Sequence, residues 1–160
     1  MKTFLLFGLC CIFTGIALAN PKESLDGYWV YDGETIKEIQ KPFLDALQKV
    51  PKDKRQKAEQ LMTPVIQYYS MMVLCTKDLK STYYHGDKTQ ELNLKLISEK
   101  ENLLTIEADH TTFTITVEKD KLTYMVNGVK TVYIRASKEK ALKMIEAGNK
   151  IAAVINKQKQ

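Results

Sequence analysis

The sequence predicts an α+β fold: a curved antiparallel β-meander or small, partly open barrel of about six to eight strands. A two-helix insertion is expected after strand 1, and a C-terminal helix at the end. Three observations carry this reading. From about Ser81 to Ile134, apolar and polar residues alternate with period two, as in strands with one buried face. Between residues 34 and 68 the apolar period is that of a helix, and after Arg135 it becomes helical again.

The first residues read as a secretion signal. Lys2 precedes the apolar run Phe4–Phe13, and Ala17-Leu18-Ala19 supplies a small-x-small cleavage pattern. The run is short and broken by Gly8, and no later segment is apolar for the length of a membrane span. Leu9 and Cys10 are the wrong predecessors for a lipid-modified Cys10 or Cys11, and both cysteines sit inside the apolar run. Residues 1–19 are therefore expected to be removed, leaving 20–160 as a single α+β domain. The product would be secreted or periplasmic, with no transmembrane span in the mature chain.

Leu25-Asp26-Gly27 is a turn signal, and Tyr28-Trp29-Val30-Tyr31 has the aromatic and β-branched content of a strand; residues 20–33 thus hold the first strand. The helical segment 34–68 follows. Ile36, Ile39, Phe43, Leu47 and Val50 line one face of a helix that Pro42 should kink or divide. Pro51 stops that helix. A second begins near Lys52, with Ala58, Leu61, Met62 and Val65 on one face and Pro64 as a further interruption. Each helix has one apolar face and a charged back, so each should pack on a sheet or a neighbour.

Residues 70–136 form the meander. A strand from about Ser70 leads to a turn near Thr76-Lys77-Asp78, and Ser81–His85 ends at Gly86-Asp87-Lys88. Leu92, Leu94 and Leu96 alternate with polar residues up to the turn Glu99–Asn102. Leu104, Ile106 and Ala108 then Phe113, Ile115 and Val117 repeat the pattern. Asn127-Gly128 between two apolar-alternating runs is the signature of a type I′ hairpin. In the closing helix, 137–156, Ser137 is the expected N-cap and Ala141, Leu142 and Ile145 an apolar edge, with an interruption at Gly148-Asn149.

Charge excludes some partners. Net charge is +5, but the lysines are interspersed with acids and the only arginines are Arg55 and Arg135. That is a solvated surface rather than a nucleic-acid footprint, so no nucleic-acid partner is expected. Cys75 is the only cysteine after residue 19, so no intramolecular disulfide is expected, and its apolar neighbours predict a small buried side chain. Disulfide-free export, with no Asn-x-Ser/Thr acceptor, leans toward a periplasm.

The chemistry inventory is thin. His85 and His110 stand near Asp87 and Asp109 at strand ends and could meet only if two turns met; no metal-ligand spacing, nucleophile motif or phosphate cradle is present. No catalytic residue, metal or cofactor is expected, which argues against an enzyme.

Leu25-Asp26-Gly27-Tyr28-Trp29, followed by Asp32 and repeated hairpins, resembles the opening Gly-x-Trp strand of lipocalin-like exported domains. The resemblance implies that Trp29 closes one barrel end and that Arg135, late in the last strand, packs across it. The helices at 34–68 depart from that family, whose strands continue there.

With eight tyrosines in the chain, binding is the function class left. The candidate binding residues are Tyr68, Tyr69, Met72, Tyr84 and Tyr124; the structural ones are Trp29, Arg135, Asn127 and Gly128. Tyr83 and Tyr84 alternate, so one should enter the core. The leading expectation is a non-enzymatic exported protein-interaction module, such as an inhibitor or envelope accessory factor. Its mark would be an exposed tyrosine patch without a deep cavity. The alternative is a lipocalin-like binder of a small hydrophobic ligand, its pocket under the helices and its continuous cavity lined by Leu94, Ile106, Phe113, Ile115 and Tyr124; a solidly packed interior would rule against it, and an uncharacterised enzyme is a distant third. The sequence leaves partner identity and oligomeric state open.

Overall fold

A computed structural model describes residues 21–126 and 129–158. Residues 1–19, expected to be a secretion signal, and the expected Asn127-Gly128 turn lie outside the described residues. The chain forms an antiparallel sheet in the order β4-β3-β2-β1-β9-β8-β7-β6-β5. Three longer helices, α2 (Gly33–Gln48), α3 (Lys52–Ser70) and α4 (Lys138–Gln158), join it, with a short α1 at Pro21–Ser24. The strands are β1 (Gly27–Tyr31), β2 (Met72–Lys77), β3 (Lys80–His85), β4 (Lys88–Asn93), β5 (Lys95–Lys100), β6 (Leu103–Ala108), β7 (Thr111–Glu118), β8 (Lys121–Val126) and β9 (Val129–Ala136).

The sheet is nearly closed, because its two outer strands are consecutive in the chain. Every hydrogen-bonded neighbour is antiparallel, so β4 and β5 run in the same direction, separated only by Leu94. They are one long pass that pairs with β3 through its first half and with β6 through its second. Leu92, Leu94 and Leu96 all turn toward the interior across the break. The nine strands exceed the expected number for this reason. Alternation reads 88–100 as a single strand, while pairing divides it where the chain changes partners. The edges that β4 and β5 do not share remain open, and the barrel has a slit beside them.

The alternation sorts the two sides of the wall. Trp29, Leu74, Leu104, Ile106, Ile115 and Leu122 fill the interior, each essentially inaccessible to solvent. Val30 and Val73 face outward and form a second cluster with Ala141 of α4, flanked by Tyr28, Tyr84, Met144 and Ile145. Thus α4 covers β1, β2 and β3, α2 lies on β9, and α3 rests on α2 and α4. Cys75, expected to be buried, is half-buried on the outer face of β2, opposite Tyr28 and Thr82.

The helices begin where their caps lie. Asp32 accepts a hydrogen bond from Thr35 N at 2.8 Å as the N-cap of α2. The buried Thr35 hydroxyl donates to the Val132 carbonyl and accepts from Val132 N, fastening the first turn to β9. Arg55 donates to the Gln48 and Val50 carbonyls at the other end of α2. Ser137 caps α4 through Lys140 N.

Several boundaries correct the sequence reading. Neither Pro42 nor Pro64 divides its helix. The strand expected from Ser70 begins at Met72, and its turn falls on Asp78-Leu79, both left-handed as in a type I′ hairpin. Leu61 and Leu142, expected on packed faces, are about half exposed at 48% and 50%. α3 packs mainly on α2 and α4 and reaches the sheet through Tyr68 and Tyr69 at His85, and Leu142 lies off the stripe through Ala141 and Ile145 that meets the sheet. Gly148-Asn149 does not interrupt α4; a Cβ at Gly148 would lie 3.4 Å from the Gly86 backbone, so glycine allows helix and turn to touch.

Among the described residues, no helix is long and apolar enough to cross a membrane.

Candidate functional site

The two ends of the barrel are built differently. At one end, Trp29 is fully buried and its Nε1 donates to the Leu25 carbonyl at 2.9 Å. The Arg135 guanidinium carbon lies 4.3 Å from the centre of the Trp29 ring. Arg135 also donates to the carbonyls of Asp26, at 2.7 Å, and Ser24, and to that of Lys119 at 3.2 Å. The neighbouring segment 21–24 packs against β6 and β7. Gly27 explains the spacing of the opening motif. Its φ is +142°, and an added Cβ would come within 2.5 Å of Arg135 Nη1. The arginine crosses Trp29 through the space that glycine leaves.

At the other end, the turns after β3 and β6 and the start of β2 surround a mouth. A cavity of about 340 Å³ opens there, with Tyr83, Phe113, Tyr124 and Tyr133 as aromatic walls. Gln90 and Leu92 of β4 lie on one side of the slit, and Ala108 and Asp109 at the end of β6 on the other; Thr111 and Thr131 complete the lining. The cavity therefore occupies the place where β4 leaves the rest of the wall. Its volume falls at the lower end of the range for small-molecule pockets, about 300–1,000 Å³.

The aromatic groups support one another. Phe113 stacks on Tyr124 with ring centres 5.3 Å apart, and Tyr133 meets Tyr124 edge-on at 5.6 Å. Tyr31 stacks on Tyr133 at 5.1 Å and its hydroxyl donates to Met72 Sδ at 3.4 Å. The hydroxyls of Tyr83 and Tyr124 lie 3.3 Å apart. Burial raises the Tyr124 and Tyr133 hydroxyls well above the ordinary tyrosine range. It also raises those of Tyr31 and Tyr83, although Tyr133 pulls the first and Tyr124 the second the other way. These hydroxyls are therefore neutral.

The candidate binding residues separate into three places. Tyr124 lines the mouth, and Met72 packs against the interior cluster beside Tyr31. Tyr84 faces outward beneath α4. Tyr68 and Tyr69 lie outside the barrel on α3, where Tyr68 contacts His85 at 4.3 Å and Tyr69 stacks on Phe43 at 5.5 Å. Of the adjacent pair, Tyr83 is the one that enters.

Phe113 and Tyr124 line the cavity, but Leu94, Ile106 and Ile115 belong to the packed interior. The pocket is confined to the mouth instead of running through the barrel, because the large aliphatic side chains below interdigitate. Tyr83 and Tyr133 were not among the candidates. Their inward parity was readable from the alternation; that both would reach one mouth depended on barrel closure.

The two histidine turns lie at this same end. Even so, no three His, Cys, Asp or Glu side chains among the described residues come together as metal ligands. His85 Nε2 is buried without a hydrogen-bond partner, and burial lowers the His85 pKa below its ordinary value, with Lys88 acting in the same direction.

No protein-family model matches the chain, and neither does any curated protein or solved structure.

Proposed function

We propose that this is an exported, non-enzymatic binding protein whose barrel mouth holds a small hydrophobic ligand. The observation that carries the reading is the contrast within one barrel. The interior around Leu104, Ile106 and Ile115 is packed shut, while the tyrosine-walled mouth keeps a cavity of about 340 Å³. Solid packing is the ordinary state of a protein interior, and a concave, mostly apolar pocket with a few polar groups is the usual form of a ligand site. Export is supported by the order of charge, apolar run and small-x-small motif at residues 1–19.

A second reading, a protein-interaction module, is favoured by Tyr69. This residue is 45% exposed and stacked on Phe43 on the outer helical layer. Exposed tyrosine gives contact area at small entropic cost.

Native mass spectrometry of protein recovered from its own compartment tests both. A retained species of a few hundred daltons, lost on mild activation and in a variant with Tyr124→Ala, supports the ligand reading. A stoichiometric protein partner, lost in Tyr69→Ala and retained in Tyr124→Ala, supports the second reading and overturns the first.

A further inference from the structure

We propose that the mouth cavity selects small aromatic organic cations over neutral and carboxylate analogues of the same shape. This rests on the ligand-binding reading above and adds the chemical class of the ligand.

The inference starts from charge. Lys and Arg outnumber Asp and Glu by 24 to 19 in the chain, yet among the described residues Asp109 is the only formally charged side chain lining the cavity. A pocket for a fatty acid or other carboxylate needs a cationic partner. Both arginines are engaged elsewhere: Arg135 at the opposite end of the barrel and Arg55 at the end of α2. Among the described residues, no lysine lines the cavity.

The walls favour the same sign. Aromatic faces carry the negative lobe of a quadrupole and attract a cation within about 6 Å of the ring centre. Tyr83, Phe113, Tyr124 and Tyr133 supply four rings around one volume, and any ring face turned toward it would favour a cation. An anion there would meet the Asp109 carboxylate as a like charge and would lack a cationic partner. A neutral analogue gains the hydrophobic contact and nothing from the Asp109 charge.

Asp109 is also held in place. It and His110 form the two-residue turn between β6 and β7, with φ of 48° and 63°. Such a turn is tightly determined by its hairpin, so the Asp109 backbone is fixed at the rim, where its side chain lines the cavity. Asparagine adopts the same left-handed conformation readily, which makes Asp109→Asn a charge change that leaves the turn intact.

Three naphthyl probes of similar size decide the matter by calorimetric titration: (2-naphthylmethyl)trimethylammonium, 2-naphthaleneethanol and naphthalene-2-acetate. The ammonium should bind most tightly and the acetate most weakly. Added salt should narrow the gap. Asp109→Asn should lower ammonium affinity by up to about fivefold, the effect of an exposed ion pair, and leave the neutral probe unchanged. Equal or tighter binding of the alcohol or the acetate overturns the proposal, as does an ammonium affinity that Asp109→Asn does not change. If none of the three binds, the ligand-pocket reading itself fails.

Discussion

The two ends of the barrel use the same kind of material for opposite purposes. At the closed end, one tryptophan and one arginine fill the space between strands, and each polar group at Trp29 and Arg135 has a backbone partner. At the mouth, four aromatic rings line a volume without filling it, and the Tyr83 hydroxyl meets that of Tyr124. The difference teaches where stability and recognition are separated. Groups satisfied by the backbone hold the fold, and groups satisfied only by neighbours of their own kind leave capacity for something else.

Several changes would break or sharpen this contrast. The largest effect is expected from Trp29→Ala, which empties the closed end and removes the ring beneath the Arg135 guanidinium. It should cost about 3–5 kcal/mol by denaturant titration. Gly27→Ala should cost about 1–3 kcal/mol, from the left-handed backbone and the displaced arginine. Neither change touches the mouth. Ligand affinity that fell in parallel under fully folded conditions would show that the ends are not independent.

A smaller effect should come from pH, outside the wall. His85 faces Tyr68 and Tyr69 from α3, with Asp87 and Lys88 beside it in the turn and β4. Its folded pKa is depressed, chiefly by burial, so the unfolded chain binds the proton first. Stability from this group is present above the unfolded value, about 6.5, and is lost as pH falls from there through the folded value. The pH dependence of the unfolding midpoint should flatten in this window in His85→Phe. An unchanged slope would place the loss on other groups.

The smallest change in stability is expected at the mouth itself. Tyr124→Phe alone leaves the Tyr83 hydroxyl without its neighbour and should cost about 1 kcal/mol. Removing both hydroxyls, in Tyr83→Phe with Tyr124→Phe, should come closer to neutral. A double-mutant cycle measures the coupling; strict additivity would mean that the two hydroxyls do not interact.

Much of this molecule was legible in its sequence. The period of two placed Leu104, Ile106, Phe113, Ile115 and Val117 inside, and the three-and-four spacing placed the helices. Gly27-x-Trp29 pointed to the closed end. The mouth was harder to read. Tyr68, Tyr69 and Tyr84 are as aromatic as Tyr83 and Tyr133, and composition cannot say which rings converge. Tyr84 differs from Tyr83 by one step of the strand, and α4 covers the face to which it turns.

What the sequence alone determined is the wet and dry side of each extended segment, because side-chain parity follows from local backbone geometry. It also determined the starts of α2 and α4, because Asp32 and Ser137 cap them locally. Only the tertiary structure decided that 88–100 would change partners at Leu94 and that a slit would open beside it. Only there did rings from β3, β7, β8 and β9 come to surround one cavity. Those outcomes depend on how far the sheet curls before its edges meet, a property of all the strands together and of no segment by itself.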